Sequence, residues 1–330
     1  MTGQRLLVPG LALAGLIAIA LACLIGSTPL PASRVLVALV GGASEGDQLV
    51  VWAIRLPRAL AAYLVGAALG ISGAALQGLL RNPLAEPGVL GVSASASLFA
   101  TFALYYGIVS ASPWALPIAA IIGALIATGL LTLAAMRTPS VITLILIGVG
   151  LSSFAGATMS LLMNLAPNPF SLSDMINWML GTVANRSFQD IALTAPFMLA
   201  GAAILLWQRR GLSVLTLGEE AASGVGLDLQ RQRLFTVLGA GLATGASVAL
   251  GGAIGFIGIV APHLVRPLVD HDPARSLVPS ALLAGFVLVL ADIGIRVLPT
   301  DNELKLGVVA AIIGAPAFVW IAVQRRAVND

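Results

Sequence analysis

The sequence predicts an all-α polytopic membrane protein of about ten transmembrane helices, and three observations carry that prediction. Of its 330 residues, 58% are apolar and only 9% are charged, against roughly 25% charged in an ordinary soluble domain. The mean hydropathy is +1.01, so there are too few charges to coat a water-facing surface. The apolar residues also fall in long unbroken runs, and a run of about 20 residues spans a bilayer as a helix. Aromatic residues make up 5%, too few for the girdles of an outer-membrane barrel, and the runs lack the alternation of barrel strands. Soluble enzymes, disordered chains and disulfide scaffolds are excluded, the last because Cys23 is the single cysteine.

Breaks at glycine, proline and charged residues divide the chain into candidate spans. The first, 6–26, follows Arg5 and is longer than the apolar core of a signal peptide, so it reads as a retained span. Residues 27–56 contain Glu45, Asp47, Gly41-Gly42 and two prolines, which reads as an outer loop. The second span, 58–80, carries Gly66-x-x-x-Gly70. Arg81-Asn82-Pro83-Leu84-Ala85-Glu86-Pro87-Gly88 cannot continue a helix, and reads as a tight inner turn or as irregular backbone lining a cavity. Spans at 88–108, 114–136, 141–165 and 190–207 follow.

Residues 208–233 form the largest inner loop. Its middle, from Leu217 to Gly226, reads as a short helix with Glu219 and Glu220 in the first turn, where the helix dipole favours acids. Gly224 and Gly226 can stop it. The last four spans are 234–251, 253–269, 277–298 and 304–323, the first two separated only by Gly251-Gly252. Gly241-x-x-x-Gly245 in the seventh span matches the spacing in the second. Ordinary close packing of small residues explains both, and a repeat of two four-helix blocks is the other reading. Nothing is long enough to form a second, soluble domain, so 1–330 is one transmembrane domain. With ten alternating spans, Arg34, Arg55, Arg58, Arg186, Arg296 and Lys305 fall outside. The other eleven of the 17 basic residues fall inside, which places both termini in the cytoplasm.

Much chemistry is absent. The one lysine, Lys305, lies in no Gly-x-x-x-x-Gly-Lys-Ser/Thr motif, so this chain does not hydrolyse ATP by itself. No catalytic residue and no metal site is expected: His263 and His271 are the only histidines, and neither has ligand spacing. His263 reads as a polar residue near a helix end. Within the spans, Asp292 and Arg296 stand four residues apart, which suits an intrahelical ion pair. Asp292 could alternatively carry protons for a secondary transporter. Arg55 and Arg58 oppose the positive-inside bias, and read either as lipid-headgroup contacts or as a docking site for an acidic extracellular partner. Arg186 reads as a solvated loop charge or as a contact for substrate or partner.

These segments resemble the FecCD/BtuC-like permease family of type II ABC importers, which serve iron-siderophores, haem and cobalamin. The matching stretches are Arg55-Leu-Pro-Arg58, Ser72-Gly-Ala-Ala-Leu-Gln77, Arg81 to Gly88 with Leu90-Gly-Val-Ser93, Gly218-Glu-Glu-Ala-Ala222, Gly252 to Gly258 with Ala261-Pro-His263, and Gly307 to Pro316. They cover nearly the whole chain. The resemblance implies a BtuC-like fold with a homodimer, or a dimer with a paralogous permease, enclosing the substrate path. It implies two ABC ATPase subunits beneath, which hold ATP and Mg, and a periplasmic binding protein above. It implies no cofactor and no nucleic acid bound by this chain, and a home in the lipid of the bacterial inner membrane.

Carried over by motif, Arg55, Arg58 and Arg296 would meet acidic residues of the binding protein. Asn82 and Leu84, with Val141 and Ile142, fall where a cytoplasmic gate closes the path. Gly218, Glu219, Glu220, Ala221, Ala222, Gly224 and Gly226 resemble the coupling helix that seats in the ATPase. Val141 and Ile142 replace the small hydroxyl residues of the cobalamin member, which argues against cobalamin. The expected function is therefore import of a ferric siderophore, with haem and cobalamin as the alternatives within the family. An ion-coupled secondary transporter using Asp292 and a membrane scaffold without transport are the readings from other classes.

Overall fold

A computed structural model describes residues 2–26, 29–112, 114–137, 140–298 and 303–329, with the side chains of 2–5, 89, 141 and 320–329 also outside the description. Among the described residues the regular structure is helical, with no strand. Among the described residues seven helices are long and apolar enough to cross a membrane, and three apolar segments are shorter. We label these ten α1 (Thr2–Leu24), α2 (Leu56–Leu79), α3 (Val92–Tyr105), α4 (Ala115–Arg137) and α5 (Val141–Asn164). The others are α6 (Phe188–Trp207), α7 (Leu229–Gly251), α8 (Ile257–Val265), α9 (Pro273–Val297) and α10 (Leu306–Asn329).

Helices α2 and α7 are the most enclosed, and their small residues explain it. Lipid gives no hydrophobic drive for helices to associate, so association depends on close backbone packing. The most extensive interface joins α2 to α9. A Cβ at Gly66 would strike the Ala284 carbonyl, and one at Gly70 the Ser280 carbonyl. On α7, Gly241 and Gly245 face Thr128 and Ala124 of α4 in the same way. The first helix of each four-helix block thus docks its Gly-x-x-x-Gly face on the third helix of the other block. This is the arrangement expected of a structural repeat.

Three expectations are corrected. Residues 27–56 are not an open loop: helices run over Ala32–Leu39 and Glu45–Gln48, and a π-helical turn, Leu49–Arg55, leads into α2. Arg34 grips Asp47 through Nε and Nη2, both at 2.7 Å, and Ser44 caps the second helix, so Asp47 is buried against an arginine that stays exposed. The expected span at 253–269 begins only at Ile257, because Gly252 and Phe256 both take positive φ (69° and 67°) and leave 252–256 unwound. Finally, Pro169–Met179 is helical where no helix was expected. Its signal was Asn168, which caps Ser171 N at 2.8 Å, followed by a proline in the first turn.

Candidate functional site

Three regions carry the sequence-predicted residues. At one end of the bundle, α1 stops and α2 starts. Helix α1 leaves its last carbonyls without intrahelical partners, and two arginines supply them. Arg55 Nη1 donates to Cys23 O (2.8 Å) and Leu24 O (3.0 Å). Arg296 Nη1 donates to Ala22 O (2.9 Å) and Ile25 O (3.3 Å). Cations suit a helix C-terminus. Asp292, fully buried, accepts from Arg58 Nε (2.9 Å) and Nη2 (2.7 Å) and pairs with Arg296 as well. Arg58 also pairs with Glu303.

The three arginines therefore come together as expected, and the Asp292–Arg296 pair forms. The side chains of Arg55 and Arg296 are buried inside this network. Both oxygens of Asp292 are engaged by guanidinium donors, which suits a structural joint between α2 and α9 more than a mobile proton carrier. Arg186 is not simply solvated either: its guanidinium lies 5.2 Å over the Trp178 ring.

At the opposite end of α2, Arg81 takes positive φ (47°) and the chain turns back. Asn82 Oδ1 accepts from Leu84 N at 3.0 Å, a side-chain turn of the kind asparagine favours. Asn82 is exposed and Leu84 half-buried. The back of this loop is seated on α5, where Gly91, at φ 76°, leaves no room for a Cβ beside the Gly148 carbonyl, and Ser152 Oγ donates to Gly88 O (3.5 Å). Ile142 lies two turns earlier on α5 and is 70% exposed; Val141 begins that helix, its side chain outside the described residues. Glu86 reaches across to accept from Phe256 N at 2.6 Å. That bond caps the start of α8 and closes the irregular loop against the unwound 252–256 segment. Burial pushes the Glu86 carboxyl above its usual range, and the Phe256 amide offsets part of this.

The third region adjoins the second. Glu219–Gly224 is a short helix bracketed by Gly218 (φ 99°) and Gly226 (φ 89°), conformations that glycine adopts without strain. Ala222 is fully buried in the same apolar core as Leu79, Ala85 and Leu90, and the Arg81 guanidinium lies beside Gly218. Glu220, Ala221 and Gly224 are exposed. Glu219 is half-covered because Arg233 Nη2 binds its Oε1 at 2.8 Å. The outer face of this element is completed by two side chains that sequence reasoning passed over, Leu217 (66% exposed) and Val225 (69% exposed). Large apolar residues at the ends of a polar inner loop were the available signal.

Comparison with known proteins now bears on this arrangement. The FecCD transport family matches residues 13–324. The chain belongs to the FecCD transport family. It is 42% identical over 287 residues to proteins named vitamin B12 import system permease protein BtuC, from Salmonella typhi and from Salmonella enteritidis PT4 (strain P125109). These alignments cover 85% of this chain and 86% of each relative. A solved structure described as an inward-facing conformation of a metal-chelate type ABC transporter superposes with a TM-score of 0.84 at 29% identity. It covers 97% of this chain and 99% of that one. This chain is thus a multi-pass inner-membrane permease subunit of a type II ABC importer, from a family of permeases and not of ATPases.

Proposed function

We propose that this permease imports a corrinoid of the cobalamin class by alternating access. The observation supporting that substrate is the 42% identity, over 85% of the chain, to permeases named for vitamin B12 import. The ferric siderophore expected from Val141 and Ile142 becomes the second reading, favoured by the metal-chelate description of the structural neighbour. Two copies of the chain, or one copy with a paralogue, enclose the path. The uncovered apolar faces of α5 (Ile142, Leu146, Phe154) and α10 (Ile312, Ile313) supply surface for the partner copy and for lipid. Each copy threads ten spans with both termini in the cytoplasm, so the arginine end faces the periplasm and the Glu219–Gly224 helix faces the cytoplasm.

In this reading ATP and Mg are bound by two ATPase subunits that seat on Leu217, Glu220, Ala221 and Val225. Their closure displaces the short helix, and displacement of a rigid element can switch a packed bundle between two arrangements. The helix adjoins the 81–88 loop through Ala222 and Arg81, so the Asn82–Leu84 gate and Ile142 lie next in line. At the periplasmic end Arg58 is the residue available to a binding protein, since its partner Glu303 is 42% exposed and an acidic group of that protein can replace it. Arg55 and Arg296 hold α1 instead.

The test is uptake into proteoliposomes containing the permease, its ATPase subunit and internal ATP. The binding protein is preloaded with cobalamin in one arm and a ferric siderophore in the other. Stimulated uptake of cobalamin alone supports the proposal, and uptake of the siderophore alone replaces it. Uptake driven by a proton gradient without ATP would return Asp292 to consideration.

A further inference from the structure

The short helix Glu219–Gly224 raises a mechanical question. It hangs between Gly218 and Gly226, two backbone positions that bend without steric cost, and a Cβ at Gly224 would meet nothing within 4 Å. Left to its backbone alone, such an element would swing on its hinges when pushed and pass little of the movement on. Its apolar side is anchored by Ala222 in the core, and its polar side is tied down by the first turn of α7. Asp228 caps that turn by accepting from Arg231 N at 3.0 Å. From it, Gln230 Nε2 donates to Met136 O at the end of α4 (2.8 Å). Gln232, buried, donates to Gln208 O at the end of α6 (3.2 Å). Its amide lies so close to Gly211 that no Cβ fits there. Arg233, its side chain 7% exposed, holds Glu219 at 2.8 Å.

Three residues, Gln230, Gln232 and Arg233, thus grip three other elements from the start of one helix. The grip on the short helix is the only charged one, and its cation is buried. An ion pair with one partner buried and the other about one-third exposed is less screened, and so stiffer, than a fully exposed one. Helix α7 then packs along α4 and α6 and against α2, so whatever moves its first turn moves the centre of the bundle.

We propose that Arg233 is a positioning residue which locks the Glu219–Gly224 helix to α7, so that a push on that helix enters the bundle through α7 instead of being lost at the flanking glycines. Glu219 is on this view an internal tether and not a contact for the ATPase. The inference rests on the importer reading given above.

It is tested in the full transporter by the amount of cobalamin imported per ATP hydrolysed. Arg233→Ala is expected to lower that ratio at least about fivefold in complexes that still contain the ATPase subunit. Arg233→Lys should recover part of it, and the exchange Glu219→Arg/Arg233→Glu should return it to within about threefold of wild type. A purely structural role would lower the yield of complex and leave the ratio unchanged. If Arg233→Ala fails to insert, Glu219→Gln is measured in its place, because it opens the same pair from its more exposed side. An unchanged ratio in these single variants, with the wild type coupled, overturns the inference alone. A wild type that shows no ATP-driven uptake of cobalamin or of a ferric siderophore overturns the importer reading and the inference together.

Discussion

Arg58 Nη2 lies 2.7 Å from Asp292 Oδ1, and this contact joins the start of α2 to the last turns of α9. The two residues are 234 positions apart, and the interface they close is the most extensive in the bundle. Removing one partner of a buried pair leaves the other charge uncompensated, at a cost of about 3–5 kcal/mol. Asp292→Ala is therefore expected to lower the thermal midpoint in detergent sharply, and Asp292→Asn by less because it keeps an acceptor for Arg58. Midpoints equal to wild type would show that the joint contributes nothing.

Glycines divide into two classes by what surrounds them. A Cβ at Gly73 would fall into the carbonyl of Gly258 on α8, whereas one at Gly129 on α4 meets open space. Gly73→Ala should cost about 1–3 kcal/mol through overpacking, and Gly129→Ala should stay within about 0.5 kcal/mol of wild type. Denaturation in mixed micelles reads both, and equal losses would contradict the packing described for α2 and α8.

Glu86 sets a pH dependence whose sign follows from its burial. A carboxyl raised above its usual value in the folded chain binds its proton more tightly there than in the unfolded chain. Its contribution to stability is thus complete below the ordinary glutamate value and is lost as pH rises through the raised one. Glu86→Gln is neutral throughout and lacks that slope, so the difference in thermal midpoint should move in favour of the variant as pH rises above the ordinary glutamate value of about 4.3. Parallel curves would mean that the Glu86 carboxyl is not held in this way.

The exposed rim of the short helix should govern ATPase binding. Leu217→Glu and Val225→Glu place charge on side chains that are 66% and 69% exposed, so the permease itself should fold. Each is expected to weaken association with the ATPase subunit about tenfold or more, as truncation of an apolar anchor does. Titration of the purified subunits measures this, and undiminished affinity in both variants would move the seat elsewhere.

Arg55 should matter through α1. Arg55→Ala frees the carbonyls of Cys23 and Leu24 from their buried donor, a loss of about 1–3 kcal/mol. Protease sensitivity of the segment between α1 and α2 should rise, while Arg58→Ala, which also opens the Asp292 joint, should lower binding-protein affinity as well as the thermal midpoint. The opposite pattern would restore Arg55 as a docking residue.

What the sequence determined by itself was everything that depends on local composition and spacing. Apolar run lengths required a helical membrane protein. Breaks such as Arg81 to Gly88 located the irregular loop, and Glu219-Glu220 between glycines located the short helix. The matched Gly-x-x-x-Gly spacings of α2 and α7 pointed to the repeat. Only the tertiary structure decided what each polar side chain meets. Arg55 and Arg296 look like rim charges until the end of α1 arrives with unsatisfied carbonyls, 31 and 274 residues away in sequence. Glu219 looks free until Arg233 closes on it, and 253–256 looks helical until Glu86 caps α8 from 170 residues away. The reason is that a buried polar group must find a partner wherever the chain brings one. Hydropathy and period describe a residue's own segment and carry no information about which distant segment packs against it.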